Sequence, residues 1–425
     1  MRILALNFAA ALMVLVAGAQ MTPLAAPLTL AQALVLARAN SPAFEAAVVA
    51  AGTARAATTQ ARSTLLPSLG LTSSYIYTQG NRYIANNGVH EYLNQGSVLE
   101  TLGFGSAATL RRARAVEAVA AADQEIAARG LDATVTADYY TLVAAGHELA
   151  TAQQALADAQ KYLKISQELQ RGGEVAHSDV IKAELEAETR QRGVREAQLA
   201  EQRARLALAV LLFPDFDDNY SVVDDLQLSP ALPAFARVQA LAHARNPDMA
   251  AAAAGLRQAQ AGVDLARASL LPSLTLAYDY GIDAERFALR DQFRNPTLAS
   301  SATATLNVPV FDWGARHAAV QQSDLARQEA ELQLRYTRRQ LEASLHSFYD
   351  EAAAAAGELT TLARSRQLAA ESLRLSALRY QDGEATIVEL VDAQTANTAA
   401  RDAYDNGLVR YRSALAQLQT LTGPF

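Results

Sequence analysis

Glu389 and Asp392 lie three residues apart in a segment whose apolar positions recur every three and four residues, so both carboxylates fall on one helix face. Near a helix start, such acids are solvated side chains that complement the helix dipole. Repeated around the axis of a ring-shaped oligomer, they instead form an acidic constriction that attracts cations and resists closing at neutral pH. Residue type does not choose between these readings; the elements that place the acids do. Other chemistry is poorly supported. The six histidines, His90, His147, His177, His243, His317 and His346, show no HExxH or paired ligand spacing, and there is no cysteine for a zinc cluster. Gly103-Phe-Gly105-Ser-Ala-Ala108 has the glycine spacing of a dinucleotide fingerprint, but no βαβ unit follows it. The aspartates at 215, 217, 218, 224 and 225 lack the glycine and closing glutamate of an EF-hand. No catalytic, cofactor-binding or metal-ligating residue is assigned, and the sequence reads as a non-enzyme.

The acids follow Gly383-Glu384, which has a counterpart 210 positions earlier in Gly173-Glu174, with Asp179 over Glu389 and Ala183 over Ala393. Glycine permits the left-handed backbone that ends a helix and begins a tight turn. The two copies are therefore expected to be helical hairpin tips, formed by Gly172, Gly173 and Glu174 and by Gly383 and Glu384. A second match places Arg62-Ser-Thr-Leu-Leu-Pro-Ser-Leu-Gly-Leu71 over Arg267-Ala-Ser-Leu-Leu-Pro-Ser-Leu-Thr-Leu276, 205 positions later and with seven of ten residues identical. The chain is one unit written twice.

Each unit runs helix, strand, polar loop, strand, very long helix, turn, helix. The expected helices are Leu30 to Leu66, Leu110 to Gln170 and Ser178 to Leu212, then Arg237 to Leu271, Arg316 to Leu378 and Ile387 to Leu421. All are rich in Ala, Leu, Gln, Glu and Arg with coiled-coil-like spacing. A helix the length of Leu110 to Gln170 would reach about 90 Å at the usual rise per residue, which implies a rod. The repeats occupy 27–213 and 236–425. Between them, 214–235 carries Pro214, Pro230 and Pro233 with the aspartates above, a linker or equatorial segment expected to fold against the side of the rod.

The strand candidates alternate. Leu274, Leu276, Tyr278 and Tyr280 oppose Thr275, Ala277, Asp279 and Gly281, and Ala302, Ala304, Leu306, Val308 and Val310 oppose Ser301, Thr303, Thr305 and Asn307. In the first unit, Leu69, Leu71, Tyr75 and Tyr77 oppose Gly70, Thr72, Ser74 and Thr78, while Val98, Leu102 and Phe104 share their face with Glu100. A soluble half-buried sheet shows the same period. Length and outward tyrosines favour membrane barrel strands. Four strands do not close a barrel and open edges are not tolerated in lipid, so symmetric oligomerisation is implied, with three copies giving twelve strands and four giving sixteen.

Composition agrees with export. Arg2, an apolar run from Ile3 to Val16 and small residues at Ala17-Gly18-Ala19 and Ala25-Ala26 read as a signal peptide within 1–26, cleaved after 19 or after 26. The run is shorter than a bilayer span, and no later stretch is long and apolar enough for a transmembrane helix. Without cysteine there is no disulfide and no lipid acceptor. A net charge of −7 and the lack of a basic cluster argue against nucleic acid.

With these elements placed, the chain resembles the TolC-like outer membrane efflux proteins over essentially its whole mature length. The resemblance rests on Asn40-Ser-Pro42, Leu65-Leu-Pro-Ser-Leu-Gly-Leu71, Leu270-Leu-Pro-Ser-Leu-Thr-Leu276, Val308-Pro-Val-Phe-Asp-Trp-Gly314 and Tyr380-Gln-Asp-Gly-Glu-Ala-Thr-Ile-Val-Glu-Leu-Val-Asp-Ala393. It implies mainly α structure with membrane β: a homotrimer with a twelve-stranded β-barrel among outer membrane lipid and an α-barrel tunnel in the periplasm of a Gram-negative bacterium. It further implies an exit duct for efflux or type I secretion, passively conducting substrate received from an inner-membrane transporter through a periplasmic adaptor docked on the tips. By the same resemblance Tyr380 and Asp179 hold the tunnel closed, and Glu389 and Asp392 line its aperture. The family's gate arginine aligns with Ala385, so that link is missing. The first unit also lacks a Pro-x-Phe-Asp-x-Gly junction, having Gly103-Phe-Gly-Ser-Ala-Ala108 instead, and its Gly172-Gly173-Glu174 tip is less apolar than that of some members. The competing reading is a periplasmic coiled-coil structural or adaptor protein without a barrel.

Overall fold

In a computed structural model describing residues 27–78, 89–215, 219–228, 230–291 and 293–425, the chain forms eight helices and one four-stranded sheet. The signal-peptide segment, the polar loop of the first unit at 79–88, and Asp217 and Asp218 lie outside the described residues.

Thr29 starts α1 (Leu30–Asn40) with a reciprocal cap: its hydroxyl accepts from Gln32 N, and the Gln32 side chain accepts from Thr29 N. The expected single helix to Leu66 is broken, because Pro42 disfavours helical backbone at the residue before it. Ser41 takes an extended conformation, caps Phe44 N at 3.3 Å, and starts α2 (Pro42–Ser63) at a bend of 58°. The second unit repeats the device. Asn246, also extended, precedes Pro247, caps Met249 N at 2.8 Å, and separates α5 (Phe235–Arg245) from α6 (Pro247–Ala268).

The long helices are α3 (Phe104–Gly172, 69 residues) and α7 (Ala315–Gln381, 67 residues), each folded back on a shorter partner, α4 (His177–Leu212) and α8 (Ile387–Thr422). Each long helix extends about 100 Å. Buried alanines recur at seven-residue spacing: Ala108, Ala115 and Ala122 on α3, Ala54 and Ala61 on α2, Ala254 and Ala261 on α6. That is the seam of a left-handed coiled coil, with side chains small enough for close approach. No single described helix is long and apolar enough to cross a membrane.

Strands β1 (Ser68–Thr78), β2 (Val89–Leu102), β3 (Ser273–Ala284) and β4 (Leu298–Asn307) form an antiparallel sheet in that order. The two units join at β2–β3, where Val98 pairs with Tyr278 and Leu102 with Leu274. Antiparallel partners share a face. Register therefore puts Leu69, Leu71, Tyr75, Tyr77, Tyr92, Val98, Leu274, Leu276, Tyr278, Tyr280 and Leu306 on one side, and Thr72, Ser97, Thr275, Asp279, Ser301 and Thr303 on the other. Glu100 sits on the apolar side opposite Leu276, as expected. Two boundaries differ from expectation. Phe104 is the first residue of α3, since Gly103 turns the chain there, and β4 stops at Asn307 before Pro309, leaving Val308 and Val310 outside it.

The main core lies at mid-height, where the linker is strapped to the helices. Tyr139 Oη donates to Leu28 O (2.9 Å) and Val223 O (2.8 Å), Tyr411 Oη to Pro230 O (2.7 Å), and Arg412 Nη2 to Asp225 O (3.0 Å) and Leu228 O (2.8 Å). Proline-rich backbone cannot pair with itself, so its carbonyls take side-chain donors.

Candidate functional site: the helical tips

Both hairpins turn on left-handed glycines, Gly173 (φ 80°) and Gly383 (φ 74°). At the first, Gly173 N donates to Gln170 O (3.0 Å) and Glu174 N to Leu169 O (2.9 Å); at the second, Gly383 N donates to Tyr380 O (3.2 Å) and Glu384 N to Arg379 O (2.8 Å). These bonds satisfy the last carbonyls of the long helices. Gly172, Gly173, Glu174, Gly383 and Glu384 are exposed at the turns.

Below the turns the hairpins share a small core of Tyr162, Ala183, Tyr380, Ile387 and Leu390. Tyr380 is only 1% exposed, and its hydroxyl pairs with Ser166 Oγ of α3, which donates to Tyr162 O at 2.9 Å. Burial pushes the Tyr380 phenol above its ordinary pKa; the Ser166 hydrogen bond opposes that shift and the Asp179 charge adds to it. Asp179, in the first turn of α4, faces Lys182 at 3.5 Å. Within one chain, then, Tyr380 fastens the second hairpin to the first through Ser166, with Asp179 acting on it at a distance.

The acids are treated differently. Thr386 caps α8 by accepting from Glu389 N at 3.3 Å, which fixes the turn that carries both. The Glu389 carboxylate meets Arg379 Nη1 at 2.5 Å, and Arg379 Nη2 reaches Glu384 O at 3.2 Å. Asp392 is exposed and forms no ion pair among the described residues. Arg379 thus ties α7, the turn and α8 together where Ala385 cannot.

Arg379 and Ser166 are not singled out by the sequence reading. Repeat alignment offers a signal for the first, because Arg379 falls on Leu169 in the earlier copy. Two further residues join the repeats behind the tips: Gln394, 2% exposed, donates to Ala155 O at 2.7 Å, and Arg190 to Thr395 Oγ1 at 2.7 Å.

The outer membrane efflux protein family profile matches residues 238–424, the second unit. The chain is 27% identical over 390 residues to protein CyaE of Bordetella pertussis, covering 88% of this chain and 79% of that protein. It is 28% identical over 307 residues to the pyoverdine export outer membrane protein OpmQ of Pseudomonas putida, covering 70% of this chain and 61% of OpmQ. The fold matches the CmeC outer membrane channel of Campylobacter jejuni with a TM-score of 0.79 at 18% identity, over 93% of this chain and 85% of that one. VceC of Vibrio cholerae gives 0.79 at 20% identity, over 93% and 96%. The second unit, residues 238–424, belongs to the outer membrane efflux protein family, and the whole chain has the fold of TolC-like outer membrane channels. Its relatives and its second unit mark it as an outer membrane channel component of export systems, and that family is one of transport proteins rather than enzymes. Its sheet lies in the outer membrane and its helices extend into the periplasm.

Proposed function

We propose that this chain assembles as a homotrimer and serves as the exit duct of a tripartite efflux or type I secretion system. The observation carrying this reading is the sheet's pair of outer edges: β1 and β4 each pair on one side only, while an apolar face runs the length of the sheet. Exposed backbone edges are not viable in lipid, so β4 of one copy pairs with β1 of the next until the barrel closes at twelve strands. The units 27–213 and 236–425, joined by the 214–235 linker, then supply six similar helical hairpins around one tunnel. Conduction is passive: an inner-membrane transporter chooses the cargo, and a periplasmic adaptor docks on Gly172, Gly173, Glu174, Gly383 and Glu384.

At the aperture, Glu389 and Asp392 form the acidic ring. Tyr380 and Asp179 hold the hairpins together, and Arg379 supplies the charge-assisted link that Ala385 does not. The name of OpmQ, pyoverdine export, supports an export role here. The direct test is the protein mass of the particle extracted in mild detergent. Three chains of 45.3 kDa, less any processed leader, are expected; a monodisperse monomer would overturn the proposal.

A further inference from the structure

The loop joining β3 to β4 lies at the outward end of the sheet, away from the helices, and is built rather than loose. Asp291 collects Phe293 N, Asn295 N and Asn295 Nδ2, each at 2.8 Å, and Asp291 N donates to Asn295 O at 2.9 Å. Arg290 bridges to Pro296, Thr297 N donates to Leu289 O at 3.2 Å, and Arg294 is held at φ 66°. This frame leaves Phe287 (62%), Leu289 (64%) and Phe293 (75%) exposed. Phe287 also meets Tyr92 on the apolar face, ring centroids 6.5 Å apart, so that face continues past the strands onto the loop.

Interleaved with these apolar residues are Arg286, Arg290 and Arg294, all exposed, and none paired with a carboxylate among the described residues. Among the described residues, the Arg290 guanidinium donates to Arg294 O, at 3.3 Å. Three acids are near in sequence. Asp291 is occupied by the loop's own donors, Asp283 is on the polar face of the sheet paired with Leu93, and Glu285 is exposed beside the strand end. Exposed apolar side chains interleaved with guanidiniums that meet no carboxylate suit a phosphorylated headgroup, because guanidinium binds phosphate through two parallel hydrogen bonds.

We propose that Arg286, Arg290 and Arg294, set among Phe287, Leu289 and Phe293, bind the phosphorylated glucosamine headgroup of an outer-leaflet glycolipid. The inference rests on the outer membrane placement of the sheet and not on the trimer or the aperture. The test titrates the full chain in mild detergent with bisphosphorylated lipid A, dephosphorylated lipid A and phosphatidylglycerol, reading bound lipid by native mass spectrometry. Wild type is expected to bind bisphosphorylated lipid A about tenfold more tightly than the dephosphorylated form, and R286Q/R290Q/R294Q to lose that preference. Circular dichroism checks that the variant is folded. If it is not, the wild-type preference between the two lipid A forms, and its resistance to displacement by millimolar inorganic phosphate, still decide. Equal binding of both lipid A forms, equally tight phosphatidylglycerol, full displacement by phosphate, or a folded variant that keeps the preference would each overturn the proposal.

Discussion

His147 of α3 stands between two carboxylates, with Nε2 at 2.7 Å from Asp224 of the linker and Nδ1 at 3.3 Å from Asp405 of α8. Its pKa is raised from 6.5 to about 9, chiefly by the hydrogen bond to Asp405, with burial opposing and Asp224 adding. The longer contact counts for more because Asp405 is 16% exposed against 55% for Asp224, and screening weakens the outer pair. Since the folded pKa lies above the ordinary one, the stabilisation is complete below pH 6.5 and is lost as pH rises through 9. After discounting for exposure it is worth about 1–2 kcal/mol. His147→Gln is expected to lower the melting temperature at pH 6.5 and to flatten its fall towards pH 9.5. Parallel pH profiles for wild type and variant would show that the bridge contributes nothing. Neither acid partner was legible in the sequence, because Asp224 and Asp405 lie far from His147 along the chain. Glu389 and Asp392 were legible as a pair, being neighbours on one helix turn. Arg379, ten positions before Glu389, required the hairpin to be folded.

At the scale of elements, period carried most of the fold. Alternation over Leu274 to Tyr280 and the glycines at 173 and 383 identify strand and turns because both depend on local backbone. The breaks at Ser41 and Asn246 were hidden by alanine-rich sequence on both sides, although each is followed by the proline that causes it. The β2–β3 seam was also hidden, since register belongs to the sheet and not to either strand. Gly281 shows how tight that seam is: a Cβ there would lie 2.1 Å from Asn94 O and 2.7 Å from Gln95 Cα, both backbone atoms. Gly96, across the seam, has nothing nearer than Tyr280 O at 3.8 Å. Gly281→Ala is therefore expected to cost about 1–3 kcal/mol by forcing the strands apart, and Gly96→Ala much less. Urea midpoints of the two variants compare them directly, and equal midpoints would mean that the seam yields.

For the whole molecule, duplication and the open sheet together set the architecture. Paired units give one chain two hairpins and four strands, too few to enclose a pore, while sheet edges in lipid demand partners. Copy number is the part that alternation left open, because three and four copies satisfy the same edge chemistry. The tips sit at the opposite end from the sheet, about 100 Å away, so the proposed duct requires one continuous lumen between them. Single-channel recording in planar bilayers under a potassium chloride gradient tests this most directly. A duct of this kind predicts discrete conductance steps from the purified chain, with a cation-favouring reversal potential that weakens in the Glu389→Gln, Asp392→Asn variant. Protein that inserts without any conductance step would contradict it.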